Sequence, residues 1–172
     1  MNRKIVVLSV ILVLTGAAGL FAQEAYIKPT LSAGIAVRTL EDGAVDAGVG
    51  GGNGYDGHSE TYLMAALGLD VDFVSTRGLT FGFHSLNAFG GEQYAFYFVS
   101  FGGGYTYTSQ LWSVGAKVMG TPHRDGGIGL DVNGTYWFSD YVGLTGIMNF
   151  YIGLGEYKWN MFSARVGLSM YF

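Results

Sequence analysis

Ionic side chains are scarce in this sequence, so those set within apolar stretches are the first candidates for chemistry. Lys28, Arg38, Lys117 and Arg165 are such residues, with Asp70, Asp72 and Asp131 as counter-charges and His84 beside them. Charges taken out of water need partners. Two arrangements are open: an ion network that fills an interior, or a polar path or gate through it. Lys117 and Asp131 lie equally far from Arg124 and point to the same side, so they are expected to pair. Lys28 is expected to pair with Asp70 or Asp72. His84 is followed by Ser85, which invites a base-and-nucleophile reading. Adjacent residues of an alternating segment point to opposite faces, so the required hydrogen bond is out of reach. No catalytic residue is assigned, and the chain is not read as an enzyme.

A second group of acids, Asp42, Asp46, Asp56 and Glu60, lies in a glycine-dense stretch that reads as a solvated surface loop. Gly51-Gly52-Asn53-Gly54-Tyr55-Asp56 resembles the start of a calcium-binding nonapeptide repeat. The eighth position of that pattern wants an apolar residue where His58 stands, and only one copy is present, so no metal site is assigned. The same glycines make no phosphate loop, because no Lys-Ser/Thr and no helix follow. Asn133-Gly134-Thr135 spells a glycosylation sequon but falls inside an expected strand.

Composition narrows the class further. Hydrophobic residues make up 49% and aromatic residues 16%, against 13% charged, where soluble domains carry about 25% charge. Glycine is abundant at 29 and proline scarce at 2, which favours sheet and tight turns over helices. Cysteine is absent, which excludes disulfides, thiolate metal sites and an N-terminal lipid anchor. No cofactor is implied. The formal net charge is −4 and no basic patch occurs, so nucleic acid is not an expected partner.

Residues 1–22 read as a signal peptide: Arg3 and Lys4, an apolar run from Ile5 to Leu14, then small residues before a cut after Ala22 or Gly19. The run is short for a membrane helix of about 20 apolar residues. Its removal leaves seven basic and thirteen acidic side chains, a net −6 for residues 23–172.

The elements that must position the charges are strands. Eight segments alternate with period two: Ala25 to Arg38, Thr61 to Val74, Leu79 to about Phe89, Tyr94 to Tyr107, Leu111 to Met119, Ile128 to Phe138, Val142 to Ile152, and a closing segment ending at Phe172. Phe96 and Phe98 break the fourth by pointing with its non-apolar face, and Pro29 is awkward within the first. Connections after strands 2, 4 and 6 are tight. Those after strands 1, 5 and 7 are long, while the one after strand 3 is short and breaks the pattern. The expected fold is all-β: an eight-stranded antiparallel up-and-down transmembrane β-barrel.

Alternation also suits a soluble eight-stranded barrel with its apolar face inward. Three features favour lipid outside. The non-apolar faces are rich in Gly, Ser and Thr, whereas a solvated exterior needs many more charges. Aromatic residues of the apolar face gather near the short turns: Phe73, Tyr107, Trp112, Phe138 and Phe172. Leu168, Met170 and Phe172 end the chain with apolar residues at every second position, which resembles the C-terminal sorting signal of outer-membrane barrel proteins.

With these features together, residues 23–172 resemble the small eight-stranded outer-membrane proteins of the OmpA-domain, OmpX and OmpW kind. The resemblance implies a bacterial outer-membrane location after export across the inner membrane. Its implied partners are outer-membrane lipid and the barrel assembly machinery. The expected function is a narrow or plugged passive channel for small solutes or apolar molecules. An adhesin or structural anchor acting on a host ligand through the acidic first loop is the alternative, and a lipid-acyl-modifying enzyme is a third. One such deacylase family carries His-x-Ser-Asn; here the order is His84, Ser85, Leu86, Asn87.

Overall fold

The computed structural model describes residues 25–40, 60–90, 94–122, 126–154 and 158–172. The expected signal peptide, and Asp42, Asp46 and Asp56 of the first loop, lie outside the described residues.

Eight antiparallel strands close into one barrel in sequence order. They are β1 (Ala25–Leu40), β2 (Glu60–Ser75), β3 (Leu79–Gly90), β4 (Tyr94–Thr108), β5 (Trp112–Gly120), β6 (Gly127–Trp137), β7 (Val142–Gly153) and β8 (Trp159–Met170). Closure joins β8 to β1 in the register Thr30↔Ser169 through Leu40↔Trp159. Every strand therefore has two hydrogen-bonded neighbours, which leaves no open edge. No described helix is long and apolar enough to cross a membrane.

Side-chain period, rather than polarity residue by residue, sets the wall. Leu31 stands opposite Leu69 on one side and Leu168 on the other, and Leu168 opposite Leu144. These leucines point outward, with Leu31 69% exposed. Thr30, Ser32, Asp70 and Ser169, one position away, are buried inside. Tyr107, Trp112, Phe138 and Phe172 are exposed at the short-turn rim, where the Tyr107 and Trp112 rings lie 5.3 Å apart.

The short turns are closed by local bonds. Gly78 donates from its N–H to the Ser75 carbonyl at 2.8 Å, and its φ of +85° is a conformation that a side chain would strain. At the β6–β7 turn the Ser139 hydroxyl accepts from the Val142 N–H at 3.0 Å. The connection between β3, ending at Gly90, and β4, starting at Tyr94, remains the short exception on the other rim.

Most strand ends differ from the sequence reading by a residue or two, and two strands end earlier than expected. β6 ends at Trp137, one residue before Phe138, and β8 runs from Trp159 to Met170. Phe172 nevertheless continues the pairing, since Ile27 and Phe172 exchange both backbone hydrogen bonds at 3.0 Å. Pro29 lies two residues beyond Ile27, so its backbone faces the same neighbour, β8. Its missing N–H leaves the seam one hydrogen bond short opposite Met170. The β1–β2 ladder loses nothing there, which is why a proline is tolerated inside a 16-residue strand.

If the leucine face meets hydrocarbon, Leu31→Arg costs about 2–4 kcal/mol of folding stability, whereas Leu154→Arg beyond the end of β7 costs about 0–1 kcal/mol. Equilibrium denaturant unfolding in lipid vesicles measures both, and equal costs would contradict the outward assignment.

Candidate functional site

The site is the lumen, built by one side-chain position in two from each strand. Its middle layer holds three cations against three carboxylates: Lys28, Lys117 and Arg165 with Asp70, Asp72 and Asp131, all nearly inaccessible to solvent. In-register pairing supplies part of the arrangement. Lys28 stands opposite Asp72, and Lys117 opposite Asp131. The Lys117 ammonium also reaches Asp72 in a short contact, and lies 3.3 Å from Asp131 Oδ1. Lys28 Nζ is 3.5 Å from Asp72 Oδ2 and donates to Asn133 Oδ1 at 2.9 Å. Asp72 is thus shared by two ammonium groups.

Arg165 joins the far side. Its Nη1 donates to Asp70 Oδ2 at 3.0 Å and to Ser32 Oγ at 2.7 Å, while Nη2 donates to Asn149 Oδ1 at 2.7 Å. Asn149 in turn donates to Asp131 Oδ2 at 2.5 Å and accepts from Ser163 at 2.9 Å. Asn149 therefore links the arginine cluster to the lysine cluster through Asp131, and Asn133 ties Lys28 to the same carboxylate, giving one continuous network. His84 Nδ1 lies 2.6 Å from Asp70 Oδ1, so the proton belongs on Nδ1. Arg165 Nη2, 3.3 Å from the same nitrogen, is then a close neighbour with no lone pair to meet. His84 Nε2 and Arg165 Nε are the buried polar atoms of this cluster without a hydrogen-bond partner among the described residues.

Layers of different chemistry flank the charges. Toward the short turns, hydroxyls chain together: Thr30 with Ser169 at 2.5 Å, Ser169 with Thr145 at 2.5 Å, and Thr145 with Thr135 at 2.8 Å. Tyr26 stacks on Tyr171 at 4.2 Å, and Trp137 meets Tyr171 edge-on at 5.9 Å. Toward the other rim the lumen is apolar. Met64, Leu86, Phe98, Met119, Tyr151, Trp159 and Met161 are buried together. Phe98 packs against Tyr151 at 4.5 Å and Trp159 at 5.8 Å. Arg38 sits in this upper layer with its guanidinium 4.1 Å from the Phe96 ring centre, a cation–π contact.

Among Lys28, Asp70, Asp72, Lys117, Asp131 and Asn133 no space remains for a water molecule. Glycines make this density possible. A Cβ added at Gly68 would fall on Arg165 Nη1, and one at Gly82 would come within 2.6 Å of Asp72 Oδ1. Among the described residues no cluster of acids, histidines or cysteines could hold a metal.

The lumen residues named from sequence thus all point inward, Arg38 apart from the other ions. Ser85 points outward, away from His84. Leu168, Met170 and Phe172 are exposed on the outer face. Glu60 opens β2 opposite Leu40. Sequence reasoning missed Ser32, Asn133, Asn149 and Ser163 as network members. It also missed the aromatic and methionine layer, whose signal was the discordant pair Phe96 and Phe98.

No family model matches the chain, and no curated protein matches it. Among solved structures, the crystal structure of Neisserial surface protein A matches with a TM-score of 0.59 at 10% identity, covering 87% of this chain and 100% of that one. The solid-state NMR structure of the outer membrane protein AlkL in DMPC bilayers matches with a TM-score of 0.43 at 13% identity, covering 87% of this chain and 90% of that one. The first likeness is one of fold: this chain has the architecture of the small eight-stranded outer-membrane barrels.

Arg165→Met removes the only guanidinium on Asp70 among the described residues, and it is expected to cost about 3–5 kcal/mol. Adding Asp70→Asn should cost less than the sum of the single changes, because the stranded charge is gone. Gly68→Ala should also destabilise, by about 1–3 kcal/mol. Gly146→Ala, where a Cβ meets nothing within 4 Å, should change stability by less than about 0.5 kcal/mol. Denaturant unfolding of the five variants (Arg165→Met, Asp70→Asn, their double, Gly68→Ala and Gly146→Ala) beside the parent checks these statements.

Proposed function

We propose that this chain is an integral protein of a bacterial-type outer membrane whose lumen is shut, and that it works as an anchor presenting its loop-bearing rim to a host or neighbouring ligand. The observation that carries the reading is the filled lumen. Opposite charges balance within its middle layer, the gaps between them exclude water, and a layer of rings and methionines stacks above them. An eight-stranded barrel is only just wide enough to be filled by side chains, so filling it closes it. The sequence of the first loop, residues 41–59, supplies the acids and glycines of a solvated contact surface.

In this reading residues 1–22 direct export, Leu168, Met170 and Phe172 present the sorting signal to the assembly machinery, and the outer face is solvated by lipid. His84 and Ser85 lie on opposite sides of the wall, so this pair gives no support to a base-and-nucleophile reading. A narrow passive channel is the second reading, favoured by the polar character of the middle layer. It requires Phe98, Tyr151 and Trp159 to leave their mutual packing and the ion network to part.

Purified protein in planar bilayers is expected to show no steady single-channel conductance. Large, steady conductance would overturn the anchor reading in favour of the channel. Deleting residues 44–57 should leave a folded barrel and abolish ligand binding at the cell surface; binding that survives the deletion would count against the loop.

A further inference from the structure

The wall facing lipid is apolar except at one place inside it. On β3 the outward positions read Leu79, Phe81, Phe83, Ser85, Asn87 and Phe89. Thr39, Thr61 and Asn160, also outward, lie near the loop-bearing ends of their strands, where Thr39 and Thr61 bond to each other at 3.1 Å. Ser85 and Asn87 have no such relief. Ser85 stands between Leu69 and Val99, in the row that includes Leu31 and Leu168, and Asn87 stands between Leu67 and Tyr97. Phe83 and Phe89 bracket them along the strand. Neither side chain has a hydrogen-bond partner among the described residues.

In hydrocarbon an unpaired amide or hydroxyl costs several kcal/mol, because acyl chains offer neither donor nor acceptor. We propose that the β2–β4 wall is a contact between two copies of this chain within the membrane, centred on Asn87. A carboxamide carries both an acceptor and donors. Two copies related by a twofold axis can therefore donate to each other, so a single residue type satisfies both sides. The Ser85 hydroxyl sits on the same face two residues away and adds to the polar centre. Around it Leu67, Leu69, Phe83, Phe89 and Tyr97 are 37–65% exposed, and large rigid side chains of this kind give well-packed interface centres. The proposal needs only a membrane-inserted barrel, whatever its loops bind.

The full chain has no cysteine, so single-cysteine variants report proximity without background. Asn87→Cys is expected to form a disulfide-linked dimer in lipid vesicles about fivefold or more above Met148→Cys on β7, across the barrel. In detergent micelles, sedimentation equilibrium should show a dimer whose dissociation constant rises roughly tenfold in the Asn87→Leu/Ser85→Ala variant, with the barrel still folded by its heat-shifted gel mobility. Equal cross-linking at the two positions, or an unchanged dissociation constant, would overturn the proposal. So would a parent chain that is monomeric at every concentration, which would assign Asn87 and Ser85 to lipid headgroups or to a different protein.

Discussion

The backbone hydrogen bond is the constraint from which the rest of this molecule follows. Hydrocarbon cannot accept from an N–H or donate to a C=O, so each strand must be paired on both sides. With eight strands the sheet meets that demand by joining β8 to β1. Closure then creates a second problem. Half of all side chains are enclosed in a space that neither lipid nor bulk water fills, and they must fill it themselves.

Two solutions are stacked in this lumen. The charged layer works because its cations and carboxylates are equal in number and share partners through Asn133 and Asn149, which spreads each charge over several bonds. Burying ions in this way gives little net stability against an apolar filling, but it makes each member dependent on the others. The upper layer avoids most of that cost with rings, methionines and alanines. Arg38 bridges the two styles: its charge is held against the faces of Phe96 and Trp159.

The wall was legible in the sequence because lipid and lumen impose opposite demands on neighbouring residues, and strands such as Trp112–Gly120 obey both at nearly every position. In-register neighbours could be read as well, since equal distances from a connection place residues such as Lys117 and Asp131 side by side. Contacts across the lumen could not. Arg165 reaching Asp70, or Lys28 reaching Asn133, depends on barrel diameter and stagger, which no local pattern encodes. The apolar layer was hidden for a different reason. Phe98 and Met119 point inward, where a rule based on polarity expects hydrophilic residues. What governs those positions is volume to be filled, and a phenyl ring fills it as well as an ion pair does.

The seam between the first and last strands bears one more mark of this economy. Pro29 takes away one of the two bonds of the rung just inside the Ile27–Phe172 pair. Mechanically, the cylinder is therefore not uniform around its circumference. A load that pulls β8 away from β1 at the short-turn rim has a single doubly bonded rung to rupture before it reaches the gap. The same load on the β1–β2 side meets an unbroken ladder from Ala25↔Ser75 onward. Failure under tension thus has a built-in starting place and direction: a crack at the seam, running toward the opposite rim.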